Sequence, residues 1–163
     1  AAGADPESEC GECHTPETHL IPRALMAVTG ELKDFRIMGS DYPTQDGTCI
    51  RDYIHVSDLA AAHVLAMERL HSEASGQGFS LNLGTGTGLS VKEILHAVEQ
   101  VTARRLAYTT GERRAGDPPV LVADGTRAQE ILHWTPRRSR VDTIIEDAWN
   151  WHVSGRDMVI RAD

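Results

Sequence analysis

The sequence contains no apolar run that approaches the roughly 18 residues of a membrane-spanning helix. No secretory signal pattern is visible among its first residues. Cysteine is also scarce, and three cysteines are an odd number, which argues against a framework of disulfides. These absences favour a cytoplasmic protein with reduced thiols.

Positive charge is in short supply. Sixteen lysines and arginines stand against 24 aspartates and glutamates, so the net charge is −8. This balance argues against a nucleic-acid partner and against an anionic membrane surface. An anionic ligand would have to be held by local arginines. With 163 residues, 40% of them apolar, the chain is long enough for one domain with a real core.

The residues from Arg51 to Ala60 predict a strand that turns directly into a helix. Tyr53, Ile54 and Val56 suit a half-buried strand, and apolar residues at helical spacing predict a helix from Asp58 to Leu70. Arg51 lies where the turn-rich loop 41–48 becomes the strand, and its planar guanidinium suits phosphate oxygens. An ordinary arginine–aspartate pair on the surface is the alternative.

A second basic segment, residues 111–119, combines glycines and prolines with Arg113, Arg114 and Asp117. In an acidic protein, a rigid loop with two arginines has the character that a diphosphate site requires. A solvated cluster of charges is the alternative interpretation.

The remaining patterns alternate between helices and short strands. A helix is predicted to start near Pro22 and end at Gly30, and another to span Ser90–Thr102 behind a capping box. The other predicted elements are strands at 35–38, 79–83 and 105–109, helices at 126–132 and up to about 152, and a loose tail at 154–163.

Glycines at 84, 86 and 88 lie between a predicted strand and a predicted helix, as in a dinucleotide-binding fingerprint. The spacing lacks the third glycine of that motif, and no acidic residue ends a strand about 20 residues further on. We interpret the segment as a tight turn that allows a close approach of backbone, and we expect no cofactor-binding residues in this chain.

Cys10, Cys13 and His14 match the C-x-x-C-H pattern of covalent haem attachment, and His19 completes a possible zinc set. Haem attachment needs export and an apolar haem pocket, and neither is indicated. Structural zinc needs ligands fixed from more than one segment. We therefore expect no metal.

Three segments resemble the UDP-glucose 4-epimerases of the extended short-chain dehydrogenase/reductase superfamily. They are Gly39–His63, then Phe79–Gly86, then Arg113–Pro119 followed by Ala123 and Asp124. Residues 11–22 also resemble a family loop that binds no metal. The resemblance covers about residues 1–151, and the three blocks occur in the family's order.

The resemblance implies nine substrate-binding residues. Arg51 and Arg114 would hold the diphosphate of a UDP-sugar, and Asp117 would accept a hydrogen bond from the ribose. Leu121 would help to decide whether N-acetylated sugars fit. The others implied to contact UDP-glucose or UDP-galactose are His19, Leu20, Arg36, Met38 and Val91.

The fold class implied is α/β, namely the C-terminal substrate-binding lobe with the last helix and strand of the nucleotide-binding domain. The sequence contains neither a G-x-x-G-x-x-G motif nor a Tyr-x-x-x-Lys pair. The resemblance therefore implies that the NAD-binding part is absent and that residues 57–83 pack on it. Residues 1–153 would form the UDP-sugar-binding portion, and we expect the 163-residue chain alone to be inactive and poorly folded. Its catalytic residues would be supplied by the full-length parent, a homodimer that contains NAD.

Two alternatives remain at this point. One is a fragment of another NAD-dependent nucleotide-sugar epimerase or dehydratase, although the blocks at 18–22 and 113–117 favour the 4-epimerases. The other is a stand-alone UDP-sugar-binding module that performs no chemistry.

Overall fold

The computed structural model describes residues 1–72 and 78–155. Helices and short strands alternate along these ranges, which confirms an α/β fold. In chain order they are α1 (Leu20–Thr29), β1 (Arg36–Met38), β2 (Ile50–Asp52), α2 (Val56–Ser72), β3 (Gly88–Ser90), α3 (Val91–Thr102), β4 (Thr109–Gly111), β5 (Val120–Leu121), α4 (Thr126–Leu132) and α5 (Val141–Val153).

The strands form two small sheets. β1 and β4 pair in parallel, with Arg36 opposite Thr109 and Met38 opposite Gly111. In the second sheet β2 lies between antiparallel β3 and parallel β5. Both partners of β2 are therefore brought from distant parts of the chain, which fixes the strand that carries Arg51.

The main core lies between α1, α3, α5 and β1, whose apolar faces meet. α3 begins with the predicted capping box, in which Ser90 and Glu93 bond each other's backbone N–H groups. α1 ends at Gly30, whose φ of 86° is accessible to glycine at little cost. The fully or nearly fully buried side chains of this core are Ile21, Ala24, Leu25, Phe35, Ile37, Ile94, Leu95, Val98, Leu106, Ile144, Ile145 and Ala148.

A smaller apolar cluster joins α2, α4 and the extended segment 79–83. α2 remains incompletely covered in this structure. Val64, Met67 and Leu70 are each about half exposed, at 50%, 54% and 49%. A helix with this much uncovered apolar surface is incompletely packed by the described part of the chain.

A buried polar network ties α2 to α5 and to the segment before it. The carboxylate of Asp58 accepts hydrogen bonds from the backbone N–H groups of Arg137 and Arg138, both at 2.9 Å, and from the Ser139 hydroxyl at 2.6 Å. His55, fully buried, contacts Asp147 at 3.0 Å. Buried polar groups paired in this way fix the relative position of the two helices.

Three strand predictions need correction. The strand predicted from Arg51 to Val56 ends at Asp52, and α2 already begins at Val56. Between them, the backbone of Ala2 donates to the Ile54 carbonyl and accepts from the Val56 N–H. The strand predicted at 105–109 is displaced to β4, since the register with β1 starts at Thr109. The Leu106 N–H donates to the Glu99 side chain instead, at 2.8 Å.

The predicted strand at 79–83 is also wrong. Phe79, Leu81 and Leu83 all pack against the apolar cluster, and the two residues between them, Ser80 and Asn82, are exposed, as the sequence pattern requires. No strand lies beside them among residues 1–72 and 78–155, so no ladder of hydrogen bonds forms. The alternation survives without the pairing that defines a strand.

The helices predicted from the sequence at 90–102 and 126–132 are confirmed within a residue, and α5 ends at Val153. The predicted tail at 154–163 lies outside the described residues from 156 onward. Across the described part of the chain, no helix combines the length and the apolar character needed to cross a bilayer.

Candidate functional site

The side chain of Arg51, on the central strand β2, forms an ion pair with Asp117 from the loop before β5. One guanidinium nitrogen of Arg51 also donates to the carbonyl of Ile50 at 2.6 Å. Both charged side chains remain partly accessible, at 22% for Arg51 and 26% for Asp117. Arg51 is thus held in one orientation while its guanidinium can still reach a ligand.

The two adjacent arginines of the loop 111–119 differ in their contacts. Arg113 donates to the Asp41 carboxylate at 2.7 Å and lies over the ring of Tyr42, 4.5 Å from its centroid. Within residues 1–72 and 78–155, no hydrogen bond or ion pair engages the Arg114 guanidinium, and Arg114 is exposed. Its carbonyl accepts from the N–H of Asp117 at 3.2 Å, which places the two residues on one turn.

Tyr42 and Cys49 are buried next to these charged side chains. Burial raises the pKa of the Cys49 thiol, and the Arg51 guanidinium opposes that rise. Burial likewise raises the pKa of Tyr42, to which Asp117 adds. The Tyr42 hydroxyl has no hydrogen-bond partner among the described residues. Both groups are therefore neutral at pH 7, and the net charge of the site comes from its arginines and Asp117.

Asp52, next to Arg51, faces the other way and organises the glycine-rich turn. Its carboxylate accepts from the backbone N–H of Thr85 at 2.9 Å, from that of Gly86 at 3.0 Å and from the Thr85 hydroxyl at 2.7 Å. A Cβ at Gly84 would lie 2.6 Å from an Asp52 oxygen. The amides of this turn already bind a carboxylate, so the turn does not fit the pyrophosphate of a dinucleotide.

Besides Arg51, Asp117 and Arg114, four of the nine predicted substrate residues lie on elements joined to this pair. Leu121 is directly opposite Arg51 in the ladder between β2 and β5, and is 59% exposed. Arg36 and Met38 lie on β1, whose partner β4 leads into the arginine loop. Val91 is linked to the same region because its N–H donates to the Cys49 carbonyl at 3.1 Å.

His19 and Leu20 lie elsewhere. They line a cavity of about 690 Å³ between the N-terminal segment, α1, α2 and α5, and that cavity is lined by none of the other seven predicted residues. The cavity lining contains no lysine or arginine. A cavity of this size is the usual place to expect a ligand, but a diphosphate needs cations, and the structure provides them at Arg51 and Arg114.

His19 is fixed by Glu17. One carboxylate oxygen of Glu17 accepts from the His19 ring at 2.9 Å and from the backbone N–H groups of Thr18 and His19, each at 2.7 Å. Burial alone would raise the pKa of Glu17, but these hydrogen bonds outweigh it and hold that pKa below its usual value. Glu17 is therefore an ionised, buried carboxylate next to the cavity.

Sequence reasoning missed three features of the site. The ion pair of Arg51 is made with Asp117, 66 residues away, and not with the neighbouring aspartate. Tyr42 was treated only as part of a turn. The grouping of Glu12 with His14 and His19 also escaped notice, although all three lie in one short stretch. Their separations along the chain, two and five residues, carry no signal that these side chains converge.

Known proteins resemble this chain over most of its length. Residues 6–84 match the model of the NAD dependent epimerase/dehydratase family. A UDP-glucose 4-epimerase of Halalkalibacterium halodurans is 50% identical over 152 residues, which cover 93% of this chain and 45% of that protein.

Solved structures agree. The UDP-glucose 4-epimerase of Brucella ovis in complex with NAD superposes with a TM-score of 0.86 at 50% identity, over 93% of this chain and 46% of that one. The enzyme from Stenotrophomonas maltophila, with bound NAD and formylated UDP-arabinopyranose, gives 0.88 at 37% identity, over 99% and 46%. The chain is thus a homologue of the UDP-glucose 4-epimerases, and it spans less than half of their length.

Proposed function

We propose that this chain is the UDP-sugar-binding C-terminal part of a UDP-glucose 4-epimerase. The observation that carries the proposal is the fixed Arg51–Asp117 pair with the exposed Arg114 on the same turn. In a chain of net charge −8, these cations are gathered at one place. Such a cluster suits the two phosphates of a nucleoside diphosphate.

The chemistry would then be divided between two parts of one enzyme. When bound, NAD would supply a transient oxidation at C4 of the sugar, and the residues that hold NAD would lie outside this chain. The residues described here would grip the nucleotide and leave the sugar free to turn. Binding energy placed on the nucleotide, away from the reacting carbon, allows both faces of the sugar to be presented in turn.

The exposed apolar face of α2 supports the same division. We propose that α2 and the segment 79–83 pack against the NAD-binding part, which would cover Val64, Met67 and Leu70 and give residues 79–83 a neighbouring strand. The complete enzyme would act on UDP-glucose and UDP-galactose, as a cytoplasmic homodimer.

The first test is UDP binding by a completed chain. In that chain, the present sequence is fused behind the part of the Halalkalibacterium halodurans UDP-glucose 4-epimerase to which it has no match. We expect Arg51→Ala and Arg114→Ala each to weaken UDP binding by about 1.5–3 kcal/mol, the worth of a charge-assisted hydrogen bond. Arg51→Ala should have the larger effect, because it also leaves Asp117 unpaired beside the phosphates. Calorimetric titration with UDP measures both.

The controls separate binding from general charge. Arg127→Ala removes an exposed arginine from α4 and should leave the affinity for UDP unchanged. The double variant Arg51→Ala/Asp117→Ala should bind UDP better than the sum of the single effects predicts, because the repulsion is removed as well. NAD content should be equal in all variants. Unaltered UDP affinity in both arginine variants would refute the proposed site.

Sugar specificity gives the second test. Leu121 lies opposite Arg51 and is smaller than an aromatic side chain, so we expect the completed chain to turn over UDP-N-acetylglucosamine as well as UDP-galactose. Leu121→Tyr should lower the rate ratio of N-acetylated to plain substrate by about tenfold or more, within the range that one pocket contact provides. The measurement is the ratio of kcat/KM for UDP-N-acetylglucosamine to kcat/KM for UDP-galactose. Brisk turnover of UDP-galactose with none of the N-acetylated sugar would contradict the role of Leu121.

A further inference from the structure

Three possible metal ligands converge at the mouth of the cavity that contains His19. One ligand atom from each of Glu12, His14 and His19 lies within 4.8 Å of the other two. The rings of His14 and His19 meet edge to face with centroids 5.1 Å apart, and the His14 ring also contacts the Glu12 carboxylate. Two imidazoles and a carboxylate form the donor set of many open zinc sites.

All three side chains lie in one stretch, residues 12–19, whose two ends are held by different contacts. The indole N–H of Trp151, on α5, donates to the carbonyl of Glu12 at 3.0 Å, which ties the N-terminal loop to the core. His19 precedes α1, and its ring bonds the buried carboxylate of Glu17 through Nδ1 at 2.9 Å. The three ligands still come from one segment, but that segment is tied to α5, which the sequence alone did not indicate.

The contact with Glu17 also orients His19 for coordination. A carboxylate that accepts from Nδ1–H sets the tautomer of the imidazole and leaves Nε2 with its lone pair. Carboxylate–histidine–metal arrangements of this kind recur in metal sites and make the histidine a better ligand. The cavity lining contains no lysine or arginine that would repel a cation, and it does include Cys10 and Cys13.

We propose that Glu12, His14 and His19 bind a divalent transition-metal ion, for which Zn²⁺ is the best match. Nitrogen and carboxylate donors suit zinc, and three protein ligands leave a position open to water or another ligand. His14 and His19 are exposed, so the ion reaches the site from solvent. The site differs from the C-x-x-C-H reading of the same stretch because Glu12 and His19 replace the thiols as principal ligands.

The test is calorimetric titration of the completed chain with ZnCl₂, with tryptophan emission recorded in parallel because Trp151 is bonded to the loop. We expect one ion per chain. His14→Asn and His19→Asn should each weaken binding by about tenfold or more, and Glu17→Gln by about 10–100-fold, as loss of an orienting partner does. His96→Asn, which removes an exposed histidine from α3, should leave the affinity for zinc unchanged.

Two further measurements exclude loose chelation by the cysteines. Concentrated urea should abolish the high-affinity binding, since Glu12, His14 and His19 converge only in the folded chain. The variant Cys10→Ser/Cys13→Ser should retain zinc binding within about tenfold. Equal affinity in urea would overturn the proposed site. So would loss of binding in the cysteine variant while His19→Asn still binds zinc normally.

Discussion

The 163-residue chain alone is expected to convert no UDP-galactose into UDP-glucose. None of its three tyrosines is followed by a lysine four residues later, and the amides of its glycine-rich turn are bonded to Asp52. No residue here can accept a hydride, so the loss should be complete. A coupled assay for UDP-glucose formation measures the rate.

The completed chain is the matched control, and it should restore turnover. Activity of the isolated chain would refute the proposed division of the enzyme. A completed chain that binds UDP and NAD but remains inactive would favour a stand-alone UDP-sugar-binding module instead.

Incomplete packing should accompany this inactivity. Burial of each Leu- or Val-sized side chain is worth roughly 1.5–3 kcal/mol, and α2 leaves several exposed. Because Val64, Met67 and Leu70 are each about half exposed, completing their burial would add about 2–5 kcal/mol, a large share of the roughly 5–15 kcal/mol stability of a typical domain. We expect the isolated chain to bind a hydrophobic dye and to melt broadly, and the completed chain to do neither. A sharp melt of a monomer without dye binding would show that α2 needs no further partner.

Asp58→Ala is expected to lower the free energy of unfolding of the completed chain by about 3–5 kcal/mol. The carboxylate is 5% exposed and accepts three hydrogen bonds, from two backbone N–H groups and the Ser139 hydroxyl. Each partly buried donor left unpaired costs about 1–3 kcal/mol, reduced where water reaches it. Urea unfolding followed by far-ultraviolet circular dichroism measures the change.

The pH dependence of the same variant provides a second readout. Burial alone would raise the pKa of Asp58, but hydrogen bonds from Ser139 and from the backbone at 137 and 138 hold it below its usual value. The carboxylate therefore stabilises the fold fully above about pH 4, and this contribution is lost as the pH falls through the folded-state pKa. The difference in free energy of unfolding between the unmutated completed chain and its Asp58→Ala variant should therefore become smaller in acid.

Asp142→Ala supplies the comparison. Asp142 makes an exposed pair with Arg140, two residues earlier, and contributes little because water screens both groups. It should leave the unfolding midpoint nearly unchanged. Equal unfolding midpoints for the Asp58 and Asp142 variants would contradict the role given to Asp58. So would a stability difference between Asp58→Ala and the unmutated completed chain that does not change with pH.

Helices were predicted well because their signals are local. The capping box at Ser90 and the glycine at position 30 mark helix ends within a few residues of the sequence. Strands were predicted poorly, since a strand exists only where a neighbour pairs with it. Phe79, Leu81 and Leu83 keep their alternation without a partner strand, and β4 starts where its register with β1 allows.

The residue types of the proposed site carry a signal in the sequence, but their pairings do not. A basic, proline-rich loop in an acidic chain indicated an anion site, and the resemblance selected Arg51, Arg114 and Asp117. Nothing along the sequence indicated that Arg51 would pair with Asp117, because that contact depends on β2 and β5 lying side by side. The convergence of Glu12 with His14 and His19 likewise depends on the path of a loop.

The order of strands in the second sheet has a consequence for how such a protein can diversify. Arg51 lies on the central strand, where a change would disturb neighbours on both sides, whereas Leu121 lies on an outer strand of only two residues. Binding of the UDP moiety, which all UDP-sugars share, would then be hard to alter by mutation. The contact with the variable sugar could change one residue at a time, so new specificities could arise without loss of nucleotide affinity.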